Sequence, residues 1–229
     1  SYAKAGPDEI HIHITAANRG PDEAILHLLP QLWFRNTWAW GDEKKARELA
    51  ELRGDPVENE ETIKPTLRAI ATPEGAAWTV RAEHPTLGSY YLYGRQSAEP
   101  LYTENEHNAQ RLWGLANATP YVKDSFHRRV VNGERDAVNP GLAGTKFAAW
   151  QALTVAGGQQ TQIELVLSAA PLTQPFAQSP ATFALRQSEA DRFYHDLLPE
   201  ATVEDQRILR QALAGMIWSK QFFHYDVAR

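Results

Sequence analysis

Alternation of apolar and polar residues begins near the N-terminus of the chain. Residues 9–21 read EIHIHITAANRGP, in which isoleucines alternate with His11 and His13. A period of two over this length predicts a half-buried β-strand with the isoleucines inward and the histidines on the solvated face. The residues Asn18 to Pro21 predict a turn at its end.

Short strand-like segments recur along much of the chain. Residues 24–38 predict a second strand, and Pro30 within it marks an edge, a bulge or the end of the strand. Turn residues 73–75 and the pair Gly157-Gly158 each predict a hairpin between flanking strands. This pattern favours a mainly β fold, a β-sandwich. The other segments with strand character are 66–72, 76–84, 89–94, 146–156 and 160–170.

Two segments differ from this pattern. Residues 41–65 are highly charged and predict a short solvated helix near 42–52, followed by a loop. Prolines punctuate residues 171–187, and the sequence after them is helical in character. Ser188 predicts a helix start that Pro199 closes, and Thr202 predicts the cap of a second helix about 30 Å long.

These changes predict two domains. Residues 1–180 would form the β-sandwich domain, and residues 181–229 would form a linker and the first helices of a helical domain. The apolar residues Leu209, Leu213 and Met216 recur at helical spacing and need a partner that the sequence does not supply.

Composition narrows the function classes. The chain has 229 residues, 43% hydrophobic and 22% charged, as is typical of a soluble globular protein. Its formal net charge of −5 argues against a nucleic-acid partner. The absence of cysteine excludes disulfides and thiolate chemistry.

The sequence also bears on location. No apolar run approaches the ~18 residues of a membrane span, and the N-terminal SYAKAGPDEI lacks the regions of a signal peptide. We therefore expect a cytoplasmic protein with no membrane partner. The lack of an initial methionine suggests that the sequence begins inside a longer protein.

Histidines offer a metal site that we consider and set aside. His11, His13 and His27 could share one sheet face, but zinc takes three or four ligands, and the spacing suggests no fourth. We expect solvated strand histidines, no metal and no cofactor. The glycine-rich, P-loop and HExxH motifs are absent, so no motif names a reaction.

An aromatic segment is the first candidate for ligand contact. Residues 33–41 read WFRNTWAWG and surround Arg35 with rings that include Trp38 and Trp40. Flat rings bind sugar C–H surfaces while arginine and amide groups bind hydroxyls, so Arg35, Trp38 and Trp40 are candidate substrate-binding residues. The alternative is that the rings belong to the core at a sheet edge.

The second candidate lies in the polar stretch from Tyr102 to Lys146. Glu104, Asn105 and Asp124 complete our set of candidate substrate-binding residues. Glu104 and Glu106 lie two apart, as on one face of a strand, and glycoside hydrolysis needs paired carboxylates. The alternative is solvation or capping, in which Glu106 or Asn105 caps the turn AQRLWGL.

Several long segments carry a resemblance to a known family. They are LPQLWFRNTWAWG, YTENEHNAQRLWG, TPYVKDSFHRRVVNG, AVNPGLAGTKFAAW, FALRQSEADRFYHDLLP and RQALAGMIWSKQFFHYDV. Together they span about residue 24 to Val227, and the sequence resembles the bacterial glucosidase-like proteins of glycoside hydrolase family 63. The eukaryotic relative is the processing mannosyl-oligosaccharide glucosidase, to which the resemblance is more distant.

The resemblance implies a two-part enzyme: an N-terminal sandwich of the supersandwich kind, followed by an (α/α)₆ barrel. It implies inversion at the anomeric carbon by a general acid and a general base. Both acids belong to barrel motifs that this sequence lacks, so we expect no catalytic residue here and no activity from this chain alone. Its expected partners are the barrel of its own polypeptide and an oligosaccharide substrate of the full-length protein.

Two interpretations therefore remain. In the first, the chain is the non-catalytic sandwich portion of an inverting α-glycosidase, with residues 102–146 at the seam between sandwich and barrel. In the second, it is a non-catalytic sandwich module that binds carbohydrate or a protein partner.

Overall fold

The structure is a computed structural model that describes residues 1–36, 38 and 64–220. The helix predicted near 42–52, the loop after it and Trp40 lie outside the described residues. The chain divides into two compact units, Ser1–Ser179 and Pro180–Arg229.

The first unit is mainly β. Its strands pair antiparallel throughout the described residues and form two sheets. The strands are β1 (Tyr2–Gly6), β2 (Glu9–Ala17), β3 (Ala24–Leu28), β4 (Gln31–Trp33), β5 (Thr66–Ala69), β6 (Trp78–His84), β7 (Gly88–Gly94), β8 (Glu99–Thr103), β9 (Ala143–Gly144), β10 (Lys146–Val155) and β11 (Gln160–Ser168).

Within the part of the chain that the structure describes, the larger sheet has seven strands in the order β1-β2-β11-β7-β6-β5-β9. The predicted strand at 9–21 is confirmed as β2, which pairs over its whole length with β11, from Glu9 opposite Ser168 to Ala17 opposite Gln160. The hairpin predicted around residues 73–75 is also confirmed, because β5 pairs with β6.

The smaller sheet is built on β10. One edge of β10 pairs with β3 and then with β4. Pro30 lies between those two strands and accepts a hydrogen bond from the amide of Ala149 (3.0 Å). Lys146 to Trp150 also pair with β8. Pro30 therefore interrupts the strand, as its missing N–H predicts.

Both sheets contribute to one apolar core. Leu92 and Ile163 from the larger sheet pack in the same buried cluster as Tyr102 and Phe147 from the smaller one. The rings of Tyr102 and Phe147 lie 5.0 Å apart between centroids. Because side chains alternate along a strand, Leu101 and Ala148 face the opposite way, toward a helix.

The hairpin predicted at Gly157-Gly158 is wrong. β10 and β11 follow one another in sequence but belong to different sheets, so the connection between them crosses from one sheet to the other. A side chain at Gly157 would collide with the carbonyl oxygen of Pro21, and Gly158 has a φ of 72°. The glycines therefore permit a close approach and a left-handed turn, without a paired hairpin.

Two helices lie in the polar stretch of the first unit: α1 (Ala109–Trp113) and α2 (Ser125–Asn132). Each ends at a glycine in the left-handed conformation, Gly114 or Gly133, which is a common helix stop. Phe126 of α2 packs against Leu101 and Ala148 of the smaller sheet. The sequence pattern missed α2.

The described residues of the second unit contain helix α4 (Val203–Ser219) and all but the first residue of helix α3 (Ser179–Leu197), since Ser179 closes the first unit. α3 begins nine residues before Ser188, so the helix start predicted there is wrong. Pro180 fits the first turn, where no amide hydrogen is needed. The cap predicted at Thr202 is confirmed, since its Oγ1 accepts from the amide of Asp205 at 3.2 Å.

The two helices of this unit are joined by polar contacts. Arg210 of α4 forms an ion pair with Asp191 of α3 and lies 5.1 Å from the ring centroid of Tyr194. Met216 and Ile217 are exposed. Among the described helices, none combines the length and apolar character needed to cross a bilayer.

Candidate functional site

The candidate site is a polar cluster just beyond the end of β8. The Nζ atom of Lys64 lies 3.0 Å from Oε2 of Glu104 and 3.1 Å from Oε1 of Glu106. β8 ends at Thr103, yet both carboxylates reach the same ammonium. Neither glutamate therefore lies on a strand face, as their spacing had suggested, although both side chains contact Lys64.

The charges in the cluster shift the pKa of the lysine. Burial by itself would lower the pKa of the Lys64 ammonium, because a low-dielectric surrounding disfavours charge. Hydrogen bonds and Coulombic attraction from Glu104 and Glu106 outweigh burial, and the pKa is raised above its usual value. The ammonium is thus held in its charged form between the two carboxylates.

Trp38 is brought into the same cluster. Its Nε1–H donates to Oε1 of Glu106 at 2.9 Å, and Nζ of Lys64 lies 5.5 Å from the centroid of its ring. The polar edge and one face of the indole are therefore engaged by the protein itself.

Asn105 braces the loop by hydrogen bonds to three other residues. Its Nδ2 donates to the carbonyl of Phe34 (2.8 Å), its carbonyl accepts from Nδ2 of Asn36 (3.0 Å), and its amide donates to Oγ1 of Thr145 (2.8 Å). The Thr145 hydroxyl in turn donates to Glu104 at 2.7 Å. Asn105 therefore joins the segment after β4 to the segment after β8.

Asp124 belongs to a neighbouring group of polar contacts. Its carboxylate accepts from Nδ2 of Asn108 (3.2 Å) and approaches Arg111 (3.4 Å). Asn108 is the cap of α1, because its Oδ1 accepts from the Arg111 amide at 3.1 Å. The expectation that Glu106 or Asn105 caps this turn is wrong.

The remaining predicted residues are placed as follows. Arg35 is exposed and follows β4, while Trp40 lies outside the described residues. The structure thus brings together Trp38, Glu104 and Asn105, with Asp124 in a separate set of contacts.

A small cavity adjoins the cluster. It has a volume of about 150 Å³ and is lined by Lys64, Glu104, Arg68, Asn139 and Thr145, among others. Pockets that enclose small molecules typically measure ~300–1,000 Å³. The cavity is therefore half the size of a small ligand pocket, and the cluster is better suited to contact the edge of a ligand than to enclose one.

The arrangement limits the chemistry of this cluster. A general acid and a general base need separate environments that drive their pKa values apart, whereas Glu104 and Glu106 share one ammonium. Within the described residues no three His, Asp or Glu side chains are grouped so as to hold a metal ion. The cluster can bind hydroxyl groups and brace loops.

Sequence reasoning missed Lys64 in this cluster and, elsewhere in the first unit, the burial of His11. Lys64 ends a long charged segment, where nothing distinguishes it from the lysines and arginines before it. His11 was expected to be solvated, but it is 1% exposed. The strand pattern shows which face carries the histidines and gives no sign that residues from the other end of the first unit cover that face.

Comparison with known proteins gives one informative similarity. No protein-family profile matches the chain. The chain is similar to Uncharacterized protein YMR196W of Saccharomyces cerevisiae, with 29% identity over 244 residues. The alignment covers 96% of this chain and 22% of the yeast protein. The chain thus spans about a fifth of the length of this relative.

Proposed function

We propose that this chain is the non-catalytic β-sandwich portion of an inverting α-glycosidase-like protein related to glycoside hydrolase family 63. In the full-length protein it would support hydrolysis of glycosidic bonds in oligosaccharides. The observation that carries the proposal is that Trp38 and Glu104 both contact Lys64, with Asn105 linked to Glu104 through the hydroxyl of Thr145.

The fold and the length comparison support this proposal. Two antiparallel sheets share one core, as expected for a sandwich, and two helices follow, as expected for the first part of a helical barrel. The yeast relative is much longer than this chain, which leaves room for a barrel in a protein of that kind.

The proposed role of the cluster is to brace the seam and to contact the rim of a sugar site. In an inverting enzyme the acid and base lie ~6.5–9.5 Å apart, with a water and the sugar between them. Here an ammonium lies between Glu104 and Glu106. The catalytic acids would therefore come from the barrel, and this chain would contribute hydrogen bonds.

The test compares two proteins in one assay. Release of glucose from maltooligosaccharides is measured for residues 1–229 and for the longest natural polypeptide that contains this sequence. We expect hydrolysis with inversion by the longer polypeptide and none by residues 1–229. Hydrolysis by residues 1–229 alone would overturn the assignment of the catalytic acids to the barrel. If the longer polypeptide hydrolysed no α-glucoside, the proposal that it is a glycosidase would be overturned.

A second candidate function is a module that binds a protein partner. Leu112, Trp113 and Leu115 are exposed side by side around α1, with Trp113 62% exposed. Exposed apolar groups in such numbers mark interaction surfaces more often than single ones do. The coding sequence distinguishes the two candidates, because a barrel with two acids downstream supports the glycosidase.

A further inference from the structure

A second polar arrangement of the first unit lies at the beginning of β2. His11 is 1% exposed, and both of its ring nitrogens have partners. Nε2 lies 2.8 Å from Oε1 of Glu9, and Nδ1 lies 2.6 Å from Oγ of Ser179. A carboxylate only accepts hydrogen bonds, so in the neutral ring Nε2 carries the proton and Nδ1 accepts from the Ser179 hydroxyl.

This chain of hydrogen bonds fixes the position of the Glu9 carboxylate. Ser179 is also 1% exposed, whereas the side chain of Glu9 remains 26% exposed. The buried Ser179 holds the imidazole of His11, and His11 in turn orients the carboxylate of Glu9. Supporting residues orient the binding groups of many protein sites in this way. Ser179 and His11 are thus positioning residues for Glu9.

Glu9 forms part of the wall of a cavity. The cavity measures about 270 Å³, near the lower end of the ~300–1,000 Å³ typical of small-molecule pockets. It is almost twice the volume of the cavity beside Lys64. Its lining residues are Glu9, Leu172, Thr173, Gln174, Pro175, Ala177 and Gln178.

The segment that forms the rest of the wall is anchored to the core. The amide of Leu172 donates to the Tyr93 hydroxyl at 2.8 Å, and Phe176 packs with Tyr93 and Val166 in a buried cluster. Nε2 of Gln174 donates to Glu74 at 3.1 Å. These contacts hold the cavity wall in place before a ligand arrives, which lowers the entropic cost of binding.

The chemistry of the wall selects a class of ligand. Two amides and a hydroxyl from Gln174, Gln178 and Thr173 both donate and accept hydrogen bonds, and Glu9 accepts them. The charge of Glu9 already receives a hydrogen bond from His11, so neutral hydroxyl donors suffice for its remaining lone pairs. We propose that this cavity binds a neutral, hydroxyl-rich small molecule of the size of one monosaccharide unit, with Glu9 as its main anchor.

This proposal stands apart from the proposed function. It uses none of the residues around Lys64, and it holds for a glycosidase portion and for a binding module alike.

The test titrates residues 1–229 with glucose, maltose, glycerol and glucosamine, with saturation-transfer NMR and calorimetry as readouts. We expect glucose or maltose to bind, and Glu9→Gln to weaken that binding roughly tenfold, because a charge-assisted hydrogen bond is lost. Gln178→Ala should weaken it by a smaller factor. Glu83→Gln, which removes a carboxylate from β6 outside this wall, is the matched control and should bind as the parent does.

Ser179→Ala tests the positioning role. It leaves the cavity lining intact but removes the donor to Nδ1 of His11, so the ring ¹⁵N shifts of His11 should change and glucose binding should weaken. Thermal unfolding of each variant verifies the fold.

Three outcomes would overturn the proposal. One is the absence of saturation transfer from every neutral polyol to the folded parent chain. Another is equal weakening by Glu83→Gln and Glu9→Gln. The third is glucosamine binding tenfold tighter than glucose in a manner that depends on Glu9, which would make this an ammonium site.

Discussion

The cluster around Lys64 and the arrangement around His11 each hold a glutamate beside a basic side chain, yet they differ in what remains for a ligand. Lys64 is shared by Glu104 and Glu106, whose other contacts are also made within the protein. His11 is shared by one carboxylate and one hydroxyl, and that carboxylate borders a cavity. Both arrangements border a cavity, but the cavity beside Lys64 measures about 150 Å³ and the one beside Glu9 about 270 Å³, so the second arrangement leaves more room for a ligand.

The difference shows that a high density of polar residues in sequence is a poor guide to a binding site. Residues 102–146 contain many acids and amides, but most of them form hydrogen bonds or ion pairs within the protein, in helix caps, in turns and with the ammonium of Lys64. Glu9, whose carboxylate borders the larger cavity, lies instead on β2, in a segment with a plain strand pattern. What matters is whether a polar group still has hydrogen-bonding capacity facing a space of sufficient size.

The largest expected effect is the loss of the buried histidine. His11→Ala removes the shared partner of Glu9 and Ser179 and leaves a cavity, so we expect the free energy of unfolding to fall by about 3 kcal/mol. Urea unfolding measures the change. The exposed His127→Ala serves as the control, with an expected change below ~0.5 kcal/mol. If His11→Ala and His127→Ala lowered the free energy of unfolding equally, His11 would behave as an ordinary surface residue. The contrast between the Lys64 cluster and the His11 arrangement would then not hold.

Removal of the shared ammonium ranks second. Lys64→Met leaves Glu104 and Glu106 with no cation between them, and we expect a loss of about 1–2 kcal/mol, reduced from the value for a buried pair because the cluster is partly exposed. Lys4→Met on β1 is the exposed control. In a background with both glutamates changed to glutamine, the cost of Lys64→Met should nearly vanish, and an undiminished cost would show that Lys64 acts through packing alone.

The difference in unfolding free energy between the parent and Lys64→Met should depend on pH, because the pKa of the Lys64 ammonium is raised in the folded state. A lysine whose pKa is higher in the folded than in the unfolded state stabilises the folded state. Its full contribution is present below the unfolded pKa of ~10.4. The stabilisation is lost as pH rises through the higher folded pKa. As the pH is raised from neutral, the unfolding free energies of the parent and of Lys64→Met should therefore converge at pH above ~10.4. Convergence near neutral pH would contradict the ion-pair geometry.

The smallest expected effect concerns the indole of Trp38. Trp38→Phe keeps an aromatic ring but removes the Nε1–H that donates to Glu106, and we expect a loss of about 0.5–1.5 kcal/mol. Trp113→Phe removes the N–H of an exposed indole and should cost less. If Trp38→Phe left stability unchanged but weakened oligosaccharide binding by the full-length protein, the Lys64 cluster would be as open to ligand as the cavity beside Glu9.

Local sequence patterns predicted part of the local structure. The alternation around Ile12 predicted β2, and Thr202 predicted its helix start, because strand periodicity and helix caps depend on residues a few positions apart. The pair Gly157-Gly158 predicted a turn but did not predict which strands pair on either side of it. The same glycines are compatible with a hairpin and with a connection that crosses between sheets.

The candidate site was predictable only in part. Trp38, Glu104 and Asn105 were predicted from residue type; in the structure Trp38 and Glu104 both contact Lys64, and Asn105 shares Thr145 with Glu104. Lys64 was not found because its role depends on contacts 40 or more residues away in sequence. Ser179 lies 168 positions from His11, and no single-sequence pattern reports on a contact of that range.

The pairing of β2 with β11 also affects how the protein emerges from the ribosome. β2 is synthesised before β11, and their pairing is complete only when Ser168 has left the exit tunnel. Until then β1 and β2 can form only a two-stranded hairpin, in which Ile12 lies opposite Tyr2 and Ile10 opposite Lys4, and such a hairpin is marginally stable on its own. Completion of the larger sheet must wait for nearly the whole first unit, so chaperones would meet this chain before its sheet is closed.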